Sequence, residues 1–146
     1  MNIIMYPDDH LRVETKAVEK VTPELVQTAE EMYKVMREAN GIGLAANQVG
    51  LDISLIVLED DGKPLMMFNP KIVEYSKDTD ITYEGCLSFS PRVCKVKRSL
   101  SVKAKFRNIH NKMEYIELSG LKARALQHEL DHLKGILLID YKGKYE

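Results

Sequence analysis

Apolar and polar positions along the chain change period twice, and the changes mark out its elements. Leu25, Ala29, Met32, Tyr33 and Met36 recur at helical spacing until Asn40-Gly41 interrupts them, which predicts one amphipathic helix over Pro23 to Ala39. Thr22 supplies an N-cap oxygen, and Pro23 stands at the first helical position, where its missing N–H costs nothing. The period then shortens. ISLIVLE, PLMMFNPKIVEY, RVCKVKR, LSVKAKFRN and KMEYIELS read as strands, separated by turn signals at Asp60-Asp61-Gly62, Ser76-Lys77-Asp78 and Asn108-Ile109-His110-Asn111. Short strands joined this way predict a mostly antiparallel middle. Helical spacing returns after Ser119, read as the N-cap of a second helix that carries HELDH and stops at Gly135. The order helix, strands, helix, short tail predicts an α+β domain whose last helix packs on sheet. No repeat or linker divides the chain, so one domain over residues 1–146 is expected.

Composition narrows the function. Apolar residues make up 45% and charged residues 29%, with a formal charge of −1, an ordinary globular profile without the basic excess of a nucleic-acid binder. The N-terminus lacks a basic segment followed by a long apolar run, and stretches such as Ile53 to Leu58 are strand-sized, so no membrane span is expected and the cytoplasm is the expected compartment. Two cysteines are too few for a disulfide scaffold, which leaves Cys86 as core filler, nucleophile or metal ligand.

The candidate chemistry lies in ALQHELDHLKG. A helix turns 100° per residue, so His128 and His132 share a face and can converge on one ion with Glu129 beside them, the ligand, base, ligand order of metal hydrolases. Composition alone would place an HExxH somewhere in such a chain only about once in a hundred sequences. Leu126, Leu130 and Leu133 fall on the opposite side and commit that face to the core, while Leu121 and Ala125 lie near the metal face and can line a pocket. Asp131 is placed to accept a hydrogen bond from a ligating ring or a main-chain donor.

A catalytic site of this kind needs three protein ligands and an open position. The chain keeps Gly135 but has Leu138 where an HExxHxxGxxH pattern puts its third histidine, and the tail offers only Asp140 and Glu146. The third ligand must therefore come from upstream, from His10, His110, Cys86 or Cys94. His10 and His110 stand in polar turns. Cys86 follows Gly85 in YEGCLSFS, where the backbone can approach a ligand closely. The segment Gly41 to Gly50 contains G-x-G-x-x-A, but a helix precedes it and a strand follows, the reverse of a dinucleotide site. It reads as a tight loop, or as a loop lying against substrate with Gln48 aimed at the metal.

Taken together, Gly41-Ile-Gly-Leu-Ala-Ala-Asn-Gln48, Glu84-Gly-Cys-Leu-Ser88 and Gln127-His-Glu-Leu-Asp-His132 resemble the GxGLAAxQ, EGCLS and QHExDH motifs of the peptide deformylases, in the same order and over nearly the whole chain. The resemblance implies antiparallel sheets packed around a central HExxH helix. It also implies Cys86, His128 and His132 as ligands of one divalent metal, Fe(II) natively, with zinc, nickel or cobalt as substitutes. Glu129 becomes the general acid/base, and the Gln48 amide and Leu87 backbone N–H become the oxyanion donors. The substrate becomes the N-formylmethionyl end of nascent chains at the ribosome, released as formate and a free amine. The peptide would pair with backbone near Ile42, Gly43, Leu44 and Gly85, its methionine side chain lying among Ile42, Leu121, Ala125 and His128. The chain departs from the family in ending at Glu146, short of the further C-terminal helix of many bacterial members, so a compact member is expected. Asn40 replaces a frequent acidic residue, and the segment after EGCLS is short, with Arg92 as the match to an arginine that holds this region. Competing readings are an HExxH metallopeptidase, an inactive binding module and a structural metal site; the retained base and the missing fourth ligand oppose the last two.

Overall fold

The computed structural model describes residues 1–146 and has an α+β architecture. Helix α1 (Pro23–Glu38) starts where the Thr22 side chain accepts from the Leu25 N–H at 3.2 Å, and it buries Ala29, Met32 and Met36. Its recurring apolar residues form the stripe that the spacing predicts. A five-stranded antiparallel sheet follows, in the order β1 (Gly43–Ala45), β2 (Leu55–Asp60), β3 (Lys63–Tyr75), β6 (Ser101–Arg107) and β7 (Met113–Ser119). A separate two-stranded ribbon pairs β4 (Thr79–Gly85) with β5 (Val93–Ser99).

Helix α2 (Leu121–Leu133) carries HELDH and lies between sheet and ribbon. Strand β2 shows why the layers form: Leu55 and Val57 face α1 while Ile56 and Leu58 face α2, so alternation buries all four. One core joins Ile56, Leu58, Met67, Val102, Ala104 and Phe106 to Ala123, Leu126 and Leu133 of α2. The other joins Leu44, Leu55, Val57 and Phe68 to α1.

Three expectations change. The Gly41 to Gly50 segment is not only loop: Gly43–Ala45 pairs antiparallel with Ile56–Leu58, making β1 an edge strand, and a short 3-10 turn over Ala46–Val49 follows. Strand β4 lies in TDITYEG, a polar stretch whose only buried residue is Glu84, so no apolar alternation marked it. Ser119 does not cap α2. It pairs with Ser101 at the end of β7, and Gly120, at φ 63°, is the residue before the helix, where a side chain would be strained. At the other end, the last helical residue is Leu133, and Gly135 follows at positive φ.

Candidate metal and catalytic centre

His128 and His132 project from one face of α2 with ring centroids 5.1 Å apart. Cys86, directly after β4, brings its Sγ to 3.2 Å from His132 Nε2. One donor atom from each of the three lies within 4.8 Å of the others. A tetrahedral ion with ligand distances of about 2.0–2.3 Å holds its donors roughly 3.3–3.8 Å apart, so donors already within 4.8 Å of one another can close on such an ion by small side-chain adjustments. A thiolate with two imidazoles suits zinc, iron, cobalt or nickel.

The His128 ring is held from behind, while His132 Nδ1 is buried without a hydrogen-bond partner. Glu84 Oε1 accepts from His128 Nδ1 at 3.0 Å, which leaves His128 Nε2 free for the cluster. The Glu84 carboxylate also receives both Nε and Nη2 of Arg98 at 2.9 Å, and Arg124 Nη1. Burial pushes this carboxyl up, but the hydrogen bonds from His128 and Arg98 outweigh it and leave it at about 2. Burial keeps His132 well below the usual histidine range, so its ring stays neutral. At His128, burial opposes the charge, but Glu129, Cys86 and Glu84 outweigh burial and raise it to about 10; metal uptake must displace that proton.

Glu129, the residue after His128, is 4% exposed, and its Oε1 has no hydrogen-bond partner. Burial pushes its carboxyl up to about 7, with the charge on His128 holding it back. This carboxylate reaches the cleft because Gly43 has no side chain: a Cβ there would stand 2.7 Å from Glu129 Oε2. Gln48, buried in the turn after β1, accepts the Ala45 N–H on its Oε1 at 2.9 Å. That bond orients the amide, since a backbone N–H can only donate, and turns Nε2 toward Ser88 Oγ at 3.0 Å and Cys86 Sγ at 3.6 Å. The Leu87 N–H, on the other side of Cys86, makes no backbone hydrogen bond.

A cleft of about 530 Å³ opens onto this cluster. Ile42, Gly43, Gln48, Gly85, Cys86, Leu87, Leu121, Ala125, His128 and Glu129 all line it. His132 does not line it. Leu44 also stays outside: alternation along β1 turns its side chain into the α1 core, leaving only its backbone near the cleft. Arg92 lines the mouth and stacks 5.4 Å over the Phe89 ring. Cys94 is buried among Phe89, Val96 and Leu138, and His10 and His110 are not part of the donor cluster.

Asp131 accepts from Arg98 and Tyr141 side chains, rather than from a ligating ring or the main chain, because its side chain leaves α2 toward β5 and the chain end. Glu84, Ser88, Arg98, Arg124 and Tyr141 hold places at the site to which no local pattern assigns a role. Glu84 and Ser88 flank Gly-Cys-Leu, which was the available signal. Arg98 and Tyr141 carried none, since their partners lie far off in sequence.

A family model described as polypeptide deformylase matches residues 1–146. The chain is 40% identical over 143 residues to the peptide deformylase of Borreliella burgdorferi, covering 97% of this chain and 87% of that protein. It is similar to the crystal structure of the Thermotoga maritima peptide deformylase, with 38% identity, 95% of each chain covered and a TM-score of 0.91. It is similar also to the class I type b peptide deformylase of Acinetobacter baumannii with Met-Ala-Ser bound, at 31% identity, 96% of each chain and a TM-score of 0.90.

Proposed function

This chain belongs to the peptide deformylase family, hydrolases that remove the formyl group from N-formylmethionyl peptides, and from that premise we propose that Cys86, His128 and His132 hold its metal while Glu129 moves the proton. The observation that carries the assignment is the convergence of one thiol and two imidazoles beside a buried carboxylate oxygen without a partner, with Cys86, His128 and Glu129 opening onto one cleft. When bound there, the metal supplies Lewis acidity toward water and the formyl oxygen.

The chain's own groups complete the reaction. Glu129 Oε1 takes a proton from the attacking water as its oxygen adds to the formyl carbon, and its raised pKa suits both accepting and returning a proton near neutrality. Gln48 Nε2 and the Leu87 N–H donate to the oxygen that gains charge, each well-placed donor being worth about 3–4 kcal/mol. The C–N bond then breaks, Glu129 gives its proton to the departing nitrogen, and formate and a free N-terminus result.

The substrate peptide lies extended between the free edge of β1 at Ile42, Gly43 and Leu44 and the end of β4 at Gly85. Its methionine side chain lies among Ile42, Leu121, Ala125 and His128. The Acinetobacter relative holds Met-Ala-Ser, and a methionine-first peptide is the proposed substrate here as well. The native ion is Fe(II), the working compartment is the cytosol and the substrates are nascent chains at the ribosome, handled by one domain over residues 1–146. No helix is long and apolar enough to cross a membrane.

Formate release from an N-formyl-Met tripeptide, measured on protein purified without oxygen and supplied with Fe(II), tests the reading. Release that a chelator abolishes, with internal peptide bonds left intact, is the expected result. No release from folded, metal-loaded protein overturns the site assignment, and cleavage of internal bonds would move it to a metallopeptidase.

A further inference from the structure

We propose that Tyr141, which lies outside the cleft, is a positioning residue for the metal ligand His128, acting through Asp131, Arg98 and Glu84. The proposal rests on Cys86, His128 and His132 holding the metal. Tyr141 ends the short 3-10 turn Leu138–Tyr141 that follows α2. Its hydroxyl donates to Asp131 Oδ2 at 2.7 Å, and the same oxygen accepts Arg98 Nη1 at 2.7 Å. Arg98 grips both oxygens of Glu84 at 2.9 Å, and Glu84 Oε1 holds His128 Nδ1 at 3.0 Å. The Tyr141 ring also lies 5.3 Å from the Arg98 guanidinium carbon.

Each link fixes the next for a physical reason. Arg98 has a side chain only 5% exposed, so no water competes to orient its planar fork, and its direction is set by the two carboxylates it touches. Glu84, equally buried, is oriented by that fork together with Arg124 Nη1, which bonds one of its oxygens from the other guanidinium. A ring that donates Nδ1 to Glu84 aims Nε2 along the line this carboxylate sets. Asp131 is the loose member, with a side chain 20% exposed, and the Tyr141 hydroxyl is the second donor that keeps it turned inward. The turn carrying Tyr141 is itself fastened: Asp140 receives Arg12 through two bonds of 2.6 and 2.9 Å and the Leu137 N–H at 3.0 Å. The segment after the HExxH helix is thus a brace for the first ligand of that helix.

Tyr141→Phe removes the hydroxyl and keeps the ring over Arg98. Wild type and variant are loaded with Co(II), affinity is measured by competition with a chelating dye, and the visible absorption of the bound ion is recorded. Direct outer partners of a ligand typically contribute about 10–100-fold in affinity, so a loss of about 3–10-fold is expected three links further out, with a shifted absorption band and an unchanged KM for the formyl peptide. Tyr33→Phe is the control: it removes a hydroxyl that donates to the Glu59 carboxylate, away from the cluster, and keeps wild-type affinity and spectrum. Wild-type affinity and spectrum in Tyr141→Phe overturn the proposal, as does an equal change in Tyr33→Phe, which would reflect general loosening. A wild-type protein that binds no Co(II) overturns the metal site, and this proposal with it.

Discussion

Glu129 and Gly43 are best understood as one device. The carboxylate is useful because it is buried beside the ligands, and it fits there because the facing residue of β1 has no side chain. Glu129→Ala is expected to lower kcat by about 10²–10⁴-fold while metal content, read by elemental analysis, stays at the wild-type level. Cys86→Ser has the opposite signature: a weaker donor replaces the thiolate, so metal affinity falls before any kinetic constant is considered. Unchanged affinity in that variant would remove Cys86 from the ligand set. Gly43→Ala puts a methyl 2.7 Å from Glu129 Oε2 and 3.0 Å from Leu58 Cδ2, and the carboxylate is the easier of the two to displace. We expect kcat to fall about tenfold or more, since small misplacements of a reacting group are costly, while the thermal midpoint changes little.

At the scale of elements, the α2 helix is ordinary in propensity and unusual in burial. Arg124, Gln127, His128, Glu129 and His132 are all buried on it, so its polar face needs partners on every side. Gln127 fastens to both backbone groups of Ser99, and Arg124 bridges Glu84 to Asp80, which together tie the β4–β5 ribbon to the helix. Arg98 completes that tie, and Arg98→Ala leaves Glu84 with less compensation at a buried position. A loss of about 3–5 kcal/mol in denaturant titration is expected, the range for breaking one partner of a buried charge pair. A loss under about 1 kcal/mol would place this network among surface ion pairs in strength.

Across the whole molecule, the join between helix α2 and the β4–β5 ribbon holds an acid-labile charge at Glu84. Glu84 lies at about 2 in the folded protein and near the usual carboxylate value of about 4.3 when unfolded, so its charge stabilises the fold above that higher value. The contribution disappears as pH falls from about 4.3 toward 2, because the native state then has to bind a proton it resists. Metal-free protein should show a falling thermal midpoint across this window, and Glu84→Gln, less stable at neutral pH, should show a flatter one. Equal slopes in the two proteins would mean that other carboxylates govern acid unfolding.

Helix α1, strands β2, β3, β5, β6 and β7 and the HExxH helix were legible because each writes its burial into a local period. The residues proposed for metal binding, proton transfer and oxyanion contact were visible because they lie in three motifs whose joint resemblance points to one family. Strand β4 was not, since its side chains are nearly all exposed and it exists by pairing with β5. Strand β1 was hidden for a related reason: three residues are too few to show a period, and only the neighbouring Ile56 to Leu58 make them a strand. By itself, then, the sequence determined which groups can bind a metal, move a proton and line a pocket, since those are properties of side-chain type and short-range spacing. Tertiary structure alone decided that Glu84 answers to His128, that Arg98 and Tyr141 stand behind it, and that Gly43 makes room for Glu129. Those relations join residues about 10 to 90 positions apart, and their energy comes from burial and direction, which no local pattern encodes.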